Sequence, residues 1–206
     1  MQNIYRHDGR HQNASVIAAP LDKHDLAGMP DQFTVVHLAP IAGELPSAML
    51  HCLPQATIVG LTAQGLLRKI GRAGNIEASS WAEADKFAKV IDVLVLSDED
   101  IAFDHQAGRH YLRQAPLGVL TRGHLPVQIF TNRGESEIPV QPAIGSQRTG
   151  AGDVFAAILF VALARTGDPY KAVQTAATLA SCWVRRNTSA AFPNKCELDR
   201  ALLQLQ

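Results

Sequence analysis

Arg148-Thr149-Gly150-Ala151-Gly152-Asp153 runs directly into the apolar segment Val154–Ala164, and this junction sets the reading of the whole chain. Two glycines around an alanine make a segment too flexible for strand or helix, and an acid stands where a long helical run begins. The first amides of such a helix have no backbone partners and point outward, where the aligned peptide dipoles sum to roughly half a positive charge. That end is a site for a phosphate or another anion. Gly150 and Gly152 carry no side chains to hold a ligand's oxygens away from those amides. Asp153 is poorly placed to bind a phosphate and well placed to take a proton from a hydroxyl attacking one. An ordinary loop with an N-capping acid fits the same pattern.

Around this junction the chain alternates strands with helices. Phe33–Ala39 reads as a strand stopped by Pro40, Ala56–Leu61 as the next, Val93–Leu96 as a continuous apolar strand of a buried parallel sheet, and Gly118–Thr121 as another. Pro46–Leu53 reads as a short helix and Trp81–Val90 as a helix with Trp81, Ala84 and Ala88 on one face; Gly71–Ala78 reads as a loop. Val127–Phe130 and Glu137–Val140 flank Asn132-Arg133-Gly134 as a hairpin. Gly167 ends the core helix, and Asp168-Pro169 opens another, with Val173, Ala176, Ala177, Ala180, Trp183 and Val184 on its inner face. Asn194-x-x-Glu197 is a capping box for a last helix. This order predicts an α/β fold with a mostly parallel sheet covered on both faces. The start of the chain reads as extended, turn, extended, with Ile4-Tyr5, Asp8-Gly9 and Ser15-Val16-Ile17: a polar hairpin suited to an edge, a flap or a dimer arm.

Composition narrows the classes. The chain has 206 residues, 47% of them hydrophobic and 18% charged, and its 19 basic and 19 acidic side chains cancel. With no basic face and no charge run, neither nucleic acid nor a membrane surface is expected as partner. The 11 apolar residues of Val154–Ala164 are too few to span a bilayer, and Met1–Pro20 is too polar for a signal peptide. Cys52, Cys182 and Cys196 lack Cys-x-x-Cys spacing and read as reduced thiols of a cytoplasmic protein. His7 and His11 have the spacing of a helical metal pair, but Asp8-Gly9-Arg10 between them reads as a turn.

Thr149-Gly150-Ala151-Gly152-Asp153-Val154-Phe155 resembles the second signature of the PfkB carbohydrate kinases, the ribokinase-like family. The resemblance implies a three-layer α/β/α fold and an ATP-dependent, Mg²⁺-assisted transfer of phosphate to a hydroxyl of a small sugar, inositol or nucleoside. By position it makes Asp153 the catalytic base and Gly150, Ala151 and Gly152 the anion hole. It puts Thr121, Gly123, Thr149 and Thr178 near the nucleotide. Asp100 would act on Mg²⁺ through water, in a motif that stands here as Ser97-x-x-Asp100 where the family has Asn-x-x-Glu. Three acids in a row, Asp98, Glu99 and Asp100, also suit a helix N-terminus. Gln147 occupies a place where the family usually has Asp, and Leu125-Pro126 stand where it has a second glycine. Arg10 and Gln12 fall in the stretch resembling the family's β lid over the substrate. Gln64 and Arg68 follow a strand's carboxyl end, where ligands of open α/β sheets bind, and solvated loop residues would look the same.

The resemblance covers nearly the whole chain as one domain, residues 1–206. Residues 3–18 stand as a lid remnant and 33–206 as the α/β core with the nucleotide site. The family's first βαβ region, with its Gly-Gly signature and sugar-binding acid, has no counterpart here. The sequence therefore reads as an N-terminally incomplete kinase, expected as a homodimer through its exposed sheet edge, with a catalytically impaired nucleotide-binding or structural relative as the alternative.

Overall fold

The computed structural model describes residues 2–6, 9–14, 18–71, 74–141, 143, 149–185 and 192–203, the first ten or so through their backbone alone. Strands β1 (Gln2–Arg6) and β2 (Gly9–Asn13) pair antiparallel, Asn3 opposite Gln12. The second strand begins at Gly9, within the expected Asp8-Gly9 turn, and not at Ser15-Val16-Ile17, which lie outside the described residues. Tight two-residue turns favour immediate pairing, and register follows the turn. β3 (Gln32–Leu38) and β4 (Gln55–Thr62) come next, joined by a 3-10 turn over Ser47–Cys52.

After β4 a second 3-10 turn, Ala63–Leu67, leads to β5 (Arg68–Ile70) and β6 (Ile76–Ala78), an antiparallel pair. The expected loop over Gly71–Ala78 thus contains a strand. It joins the first hairpin: Asn13 bridges Asn75, and the Ala14 amide donates to the Gly74 carbonyl at 2.9 Å. The partner strand of β6 is the neighbouring β5, with Ile70 opposite Ile76, and the distant hairpin adds the bridge at Asn75. The expected helix Trp81–Val90 shrinks to α1 (Ala84–Ala88). Tertiary contacts take both ends away. The Trp81 amide donates to the Tyr111 hydroxyl at 3.2 Å, and Val90 closes a tight turn onto Phe87.

β7 (Val93–Ser97), α2 (His105–Gln114), β8 (Leu117–Arg122), β9 (Leu125–Thr131) and β10 (Gly134–Ile138) follow, and α3 (Ala151–Thr166), α4 (Pro169–Val184) and α5 (Lys195–Leu203) close the chain. α2, which the strand and helix signals above leave unassigned, starts at Asp104, whose carboxylate accepts from the Ala107 amide. The acids Asp98, Glu99 and Asp100 therefore form a turn after β7 and not a helix N-terminus. The Asp168 cap and the Asn194/Glu197 capping box stand as read.

The central sheet has the order β10-β9-β8-β7-β4-β3, parallel through β3, β4, β7 and β8 and antiparallel at β9 and β10. Alternation along its strands feeds two cores. Val93, Val95, Val119 and Ile129 pack under α3 and α4, while Leu94, Leu96, Leu120 and Phe130 pack under α1 and α2 with Phe87 and Leu112. Covered on both faces, the parallel strands hold nothing but apolar residues in β7 before Ser97, as a three-layer α/β/α arrangement requires.

α3 rests on β3, β4 and β7, and one glycine sets how closely. A Cβ at Gly60 would stand 2.5 Å from the ring of the fully buried Phe160. Gly60→Ala is expected to cost about 1–3 kcal/mol by overpacking, measured by urea unfolding, with part of the loss recovered in the Gly60→Ala/Phe160→Leu double variant. Strictly additive losses would refute the contact.

Candidate active site

All four parallel strands end at one edge, and in an open α/β sheet that edge is where ligands bind. It gathers His37 from β3, Thr62 and then Gln64 after β4, Ser97 and Asp100 after β7, and Thr121 and Gly123 at the end of β8. α3 brings its N-terminus to the same edge, since the charge of Asp153 acts on the His37 imidazole.

At that N-terminus Gly150 is the N-cap, with φ of 86°, a left-handed conformation that glycine adopts without strain. A side chain here would also press on Trp183, whose ring edge would lie 3.2 Å from a Cβ. The Gly150 carbonyl accepts the first helical bond, from Val154 at 3.0 Å, and the N-cap glycine supplies no side-chain cap of its own. The amides ahead of Val154 are therefore left for something outside the helix. Gly152 differs from Gly150: it is exposed, a Cβ would meet nothing within 4 Å, and it sits in the first turn of α3. Nothing among the described residues demands glycine there, and helix propensity disfavours it by about 1 kcal/mol against alanine. Asp153 follows, exposed, in the same turn. Gln147 and Arg148 lie outside the described residues.

Asp100 is placed by its own turn. Its Oδ2 accepts from the Ser97 amide at 2.9 Å and the Ser97 hydroxyl at 2.7 Å, while Oδ1 is buried and has no hydrogen-bond partner among the described residues. An orphaned buried carboxylate oxygen is costly, and it suits one protein ligand, direct or through water, to a cation whose other ligands are water and phosphate. No cluster of three metal-ligating side chains exists among the described residues.

The positions assigned to a nucleotide are less open. The Thr121 hydroxyl donates to the Leu96 carbonyl at 3.4 Å, and the Thr178 hydroxyl donates to the Gln174 carbonyl one turn back on α4 at 2.8 Å. Gly123, at φ 60° with free space around it, forms the β8–β9 turn, which Arg122 clamps by donating to the Pro126 carbonyl at 2.8 Å. Thr149 is exposed just ahead of α3. Arg10 and Gln12 lie in β2, their side chains outside the described residues, as does His7. Gln64 is half-buried in the 3-10 turn after β4, held down by Gly65, whose amide donates to the Pro40 carbonyl at 2.9 Å; Arg68 opens β5 instead of lying in a loop.

His37 escaped the sequence reading, because a histidine inside an apolar strand looks like a core residue. It is half-buried at the end of β3, its ring T-stacked on Phe160 at 4.9 Å, with Nε2 3.1 Å from the Thr62 hydroxyl oxygen. Burial pushes its pKa below the ordinary 6.5, and the Asp153 carboxylate pulls the other way. Nearby, Glu44 is subject to a burial cost that would raise it, but the Ile41 and Ala42 amides, each 2.7 Å away, bring its carboxyl below the ordinary value.

The profile of the family described as pfkB family carbohydrate kinase matches residues 31–195. A fructokinase of Klebsiella pneumoniae is 30% identical over 170 residues, 68% of this chain and 55% of that protein's length. The chain thus spans about half of that relative. Among solved structures, a variant of a pyrophosphate-dependent myo-inositol-1 kinase superposes with a TM-score of 0.75 at 21% identity, covering 95% of this chain and 71% of that one. An Arabidopsis thaliana ribokinase complexed with ribose and ATP superposes with a TM-score of 0.60 at 18% identity, covering 82% and 55%. These likenesses agree with the three-layer fold.

Because the folded His37 value lies below the unfolded one, the unfolded chain takes the proton first as pH falls. Its stabilising share is complete above 6.5 and is lost as pH drops from there toward the folded value. An NMR titration is expected to place His37 below 6.5, and Asp153→Asn to lower it further by removing the opposing charge. An unshifted value in Asp153→Asn would separate the two groups.

Proposed function

The chain belongs to the pfkB family of carbohydrate kinases, and from that premise we propose that it carries the phosphotransfer half-site of an ATP-dependent kinase for a hydroxyl of a small sugar-like acceptor. The observation that carries the reading is Gly152: an exposed glycine with empty space before it, in the first turn of an uncapped helix, followed at once by an exposed carboxylate. A fold that needed only a helix there would do better with alanine.

In this reading Asp153 takes the proton from the acceptor hydroxyl as that oxygen forms its bond to the γ-phosphorus. The bond from that phosphorus to the bridging oxygen breaks, and ADP leaves with the electron pair. The amides of Gly150, Ala151 and Gly152, with the N-terminal end of the α3 dipole, face the charge on the transferred group, and being fixed in advance they need no reorganisation. Asp100, with its orphaned Oδ1, is the residue that would hold Mg²⁺, which when bound neutralises phosphate charge. The coupled β1–β2 and β5–β6 pairs serve as a lid carrying Arg10 and Gln12, and Gln64 lies on the acceptor side. Thr121, Gly123, Thr149 and Thr178 would line the nucleotide. The same proposal holds residues 1–206 to be one domain, in a cytoplasmic homodimer associating along β3, the end strand of the sheet.

A second donor is favoured by the hydroxyls of Thr121 and Thr178, which are both turned onto backbone carbonyls. Pyrophosphate needs the α3 N-terminus and no base or ribose site, and the myo-inositol kinase named above is described as pyrophosphate-dependent. A donor panel decides between ADP and orthophosphate as the acceptor-dependent product.

Asp153→Asn is expected to lower turnover by roughly 10²- to 10⁴-fold with little change in stability; an unchanged rate would remove it as the base. Gly152→Ala is expected to leave unfolding stability unchanged or raised by up to about 1 kcal/mol while lowering turnover by about 10²-fold. Intact turnover in that variant would show that no phosphoryl group approaches the loop.

A further inference from the structure

His37 Nε2 lies 3.1 Å from the Thr62 hydroxyl oxygen, and that hydroxyl has the Leu38 carbonyl, 3.5 Å away, as an alternative acceptor, an arrangement that admits the tautomer with its hydrogen on Nε2. A neutral ring with its hydrogen on Nε2 has a lone pair on Nδ1. No hydrogen bond reaches that lone pair among the described residues. Thr62 and Phe160 fix the ring between strand and helix, at the sheet edge to which α3 brings the Asp153 carboxylate. From the elements packed around it, β4 contributes the neutral Thr62 and α3 contributes the apolar Phe160 and the charged Asp153; Asp153 is the charge that acts on the ring. Two hydrogen-bond acceptors, a carboxylate and an imidazole lone pair, therefore share one end of the site. Half-buried acceptors call for donors, and a polyol presents several hydroxyls on one small frame.

We propose that His37 is an acceptor-binding residue, its Nδ1 taking a hydrogen bond from a second hydroxyl of the polyol whose attacking hydroxyl faces Asp153. The inference rests on the phosphotransfer reading and adds a residue that holds the acceptor. A simple alcohol would leave the imidazole unsatisfied and bind about tenfold more weakly, the usual worth of one such bond. Protonation of His37 turns Nδ1 into a donor, so the hydroxyl facing it changes from donor to acceptor and polyol binding becomes pH-dependent through the His37 titration.

The full chain, labelled with ¹⁵N, is titrated with fructose, myo-inositol and ribose while the imidazole signals of His37 and the Gly152 amide are followed. The expected result is that one or more of these polyols moves both, and that the affinity changes through the His37 titration. Two substitutions separate binding from packing. His37→Gln places its amide near Nε2 and keeps the Thr62 contact, whereas His37→Asn places its amide near Nδ1. If Nδ1 binds the polyol, Asn retains more affinity than Gln, and Gln loses about tenfold; a purely structural histidine gives the reverse order and overturns the inference. Polyols that move the Gly152 amide and leave His37 still also overturn it, while phosphotransfer stands. If neither signal responds to any of the three, the acceptor reading itself falls, and this inference with it.

Discussion

The approach of Phe160 to Gly60 sets the geometry on which the rest depends. Strand β4 has no Cβ where the helix crosses it, so α3 sinks onto β3 and β4 until the Phe160 ring also meets His37. A helix held this rigidly carries its first turn with it. The uncapped amides, Gly152 and Asp153 are thus fixed at the edge where the parallel strands end, by packing two turns away from any chemistry. Asp153 and Phe160 are seven residues apart in the same helix and lie on roughly the same face, which is why one can project over the edge while the other anchors below it.

That edge divides by chemistry. On the β3–β4 side stand a half-buried imidazole, a threonine hydroxyl and the Asp153 carboxylate, an environment of acceptors for hydroxyl groups. On the β7–β8 side stand Asp100, with one oxygen locked by Ser97 and the other buried without a partner, and the hydroxyl of Thr121, already given to Leu96. Asp100 shows how a shortened side chain changes the arrangement. It is drawn back onto its own turn by the Ser97 amide and hydroxyl, which leaves one oxygen and not two for anything beyond the protein.

The small antiparallel pairs follow a different logic from the sheet. β1–β2 and β5–β6 are short, and neither is large enough to stand alone in water. Each depends on the other through the Asn13–Asn75 bridge and the Ala14 to Gly74 bond.

What the sequence determined was whatever is encoded over short spans. Val93–Leu96 is apolar at every position because a parallel strand is buried on both faces, Gly150 sits at a left-handed N-cap, and Asp168 and Asn194 cap helices by bonds to residues two or three away. The Gly-Ala-Gly-Asp junction was legible for the same reason, and through it the family. Contacts between distant residues were decided only in the tertiary structure. The β5–β6 pair meets the first hairpin only through the Asn13–Asn75 bridge, α1 is short because Trp81 bonds Tyr111, and His37 has Phe160 and the Asp153 charge beside it only once α3 has packed. Propensity and capping act within a turn or two of the chain, whereas burial, charge and hydrogen-bond demand depend on neighbours that only folding supplies.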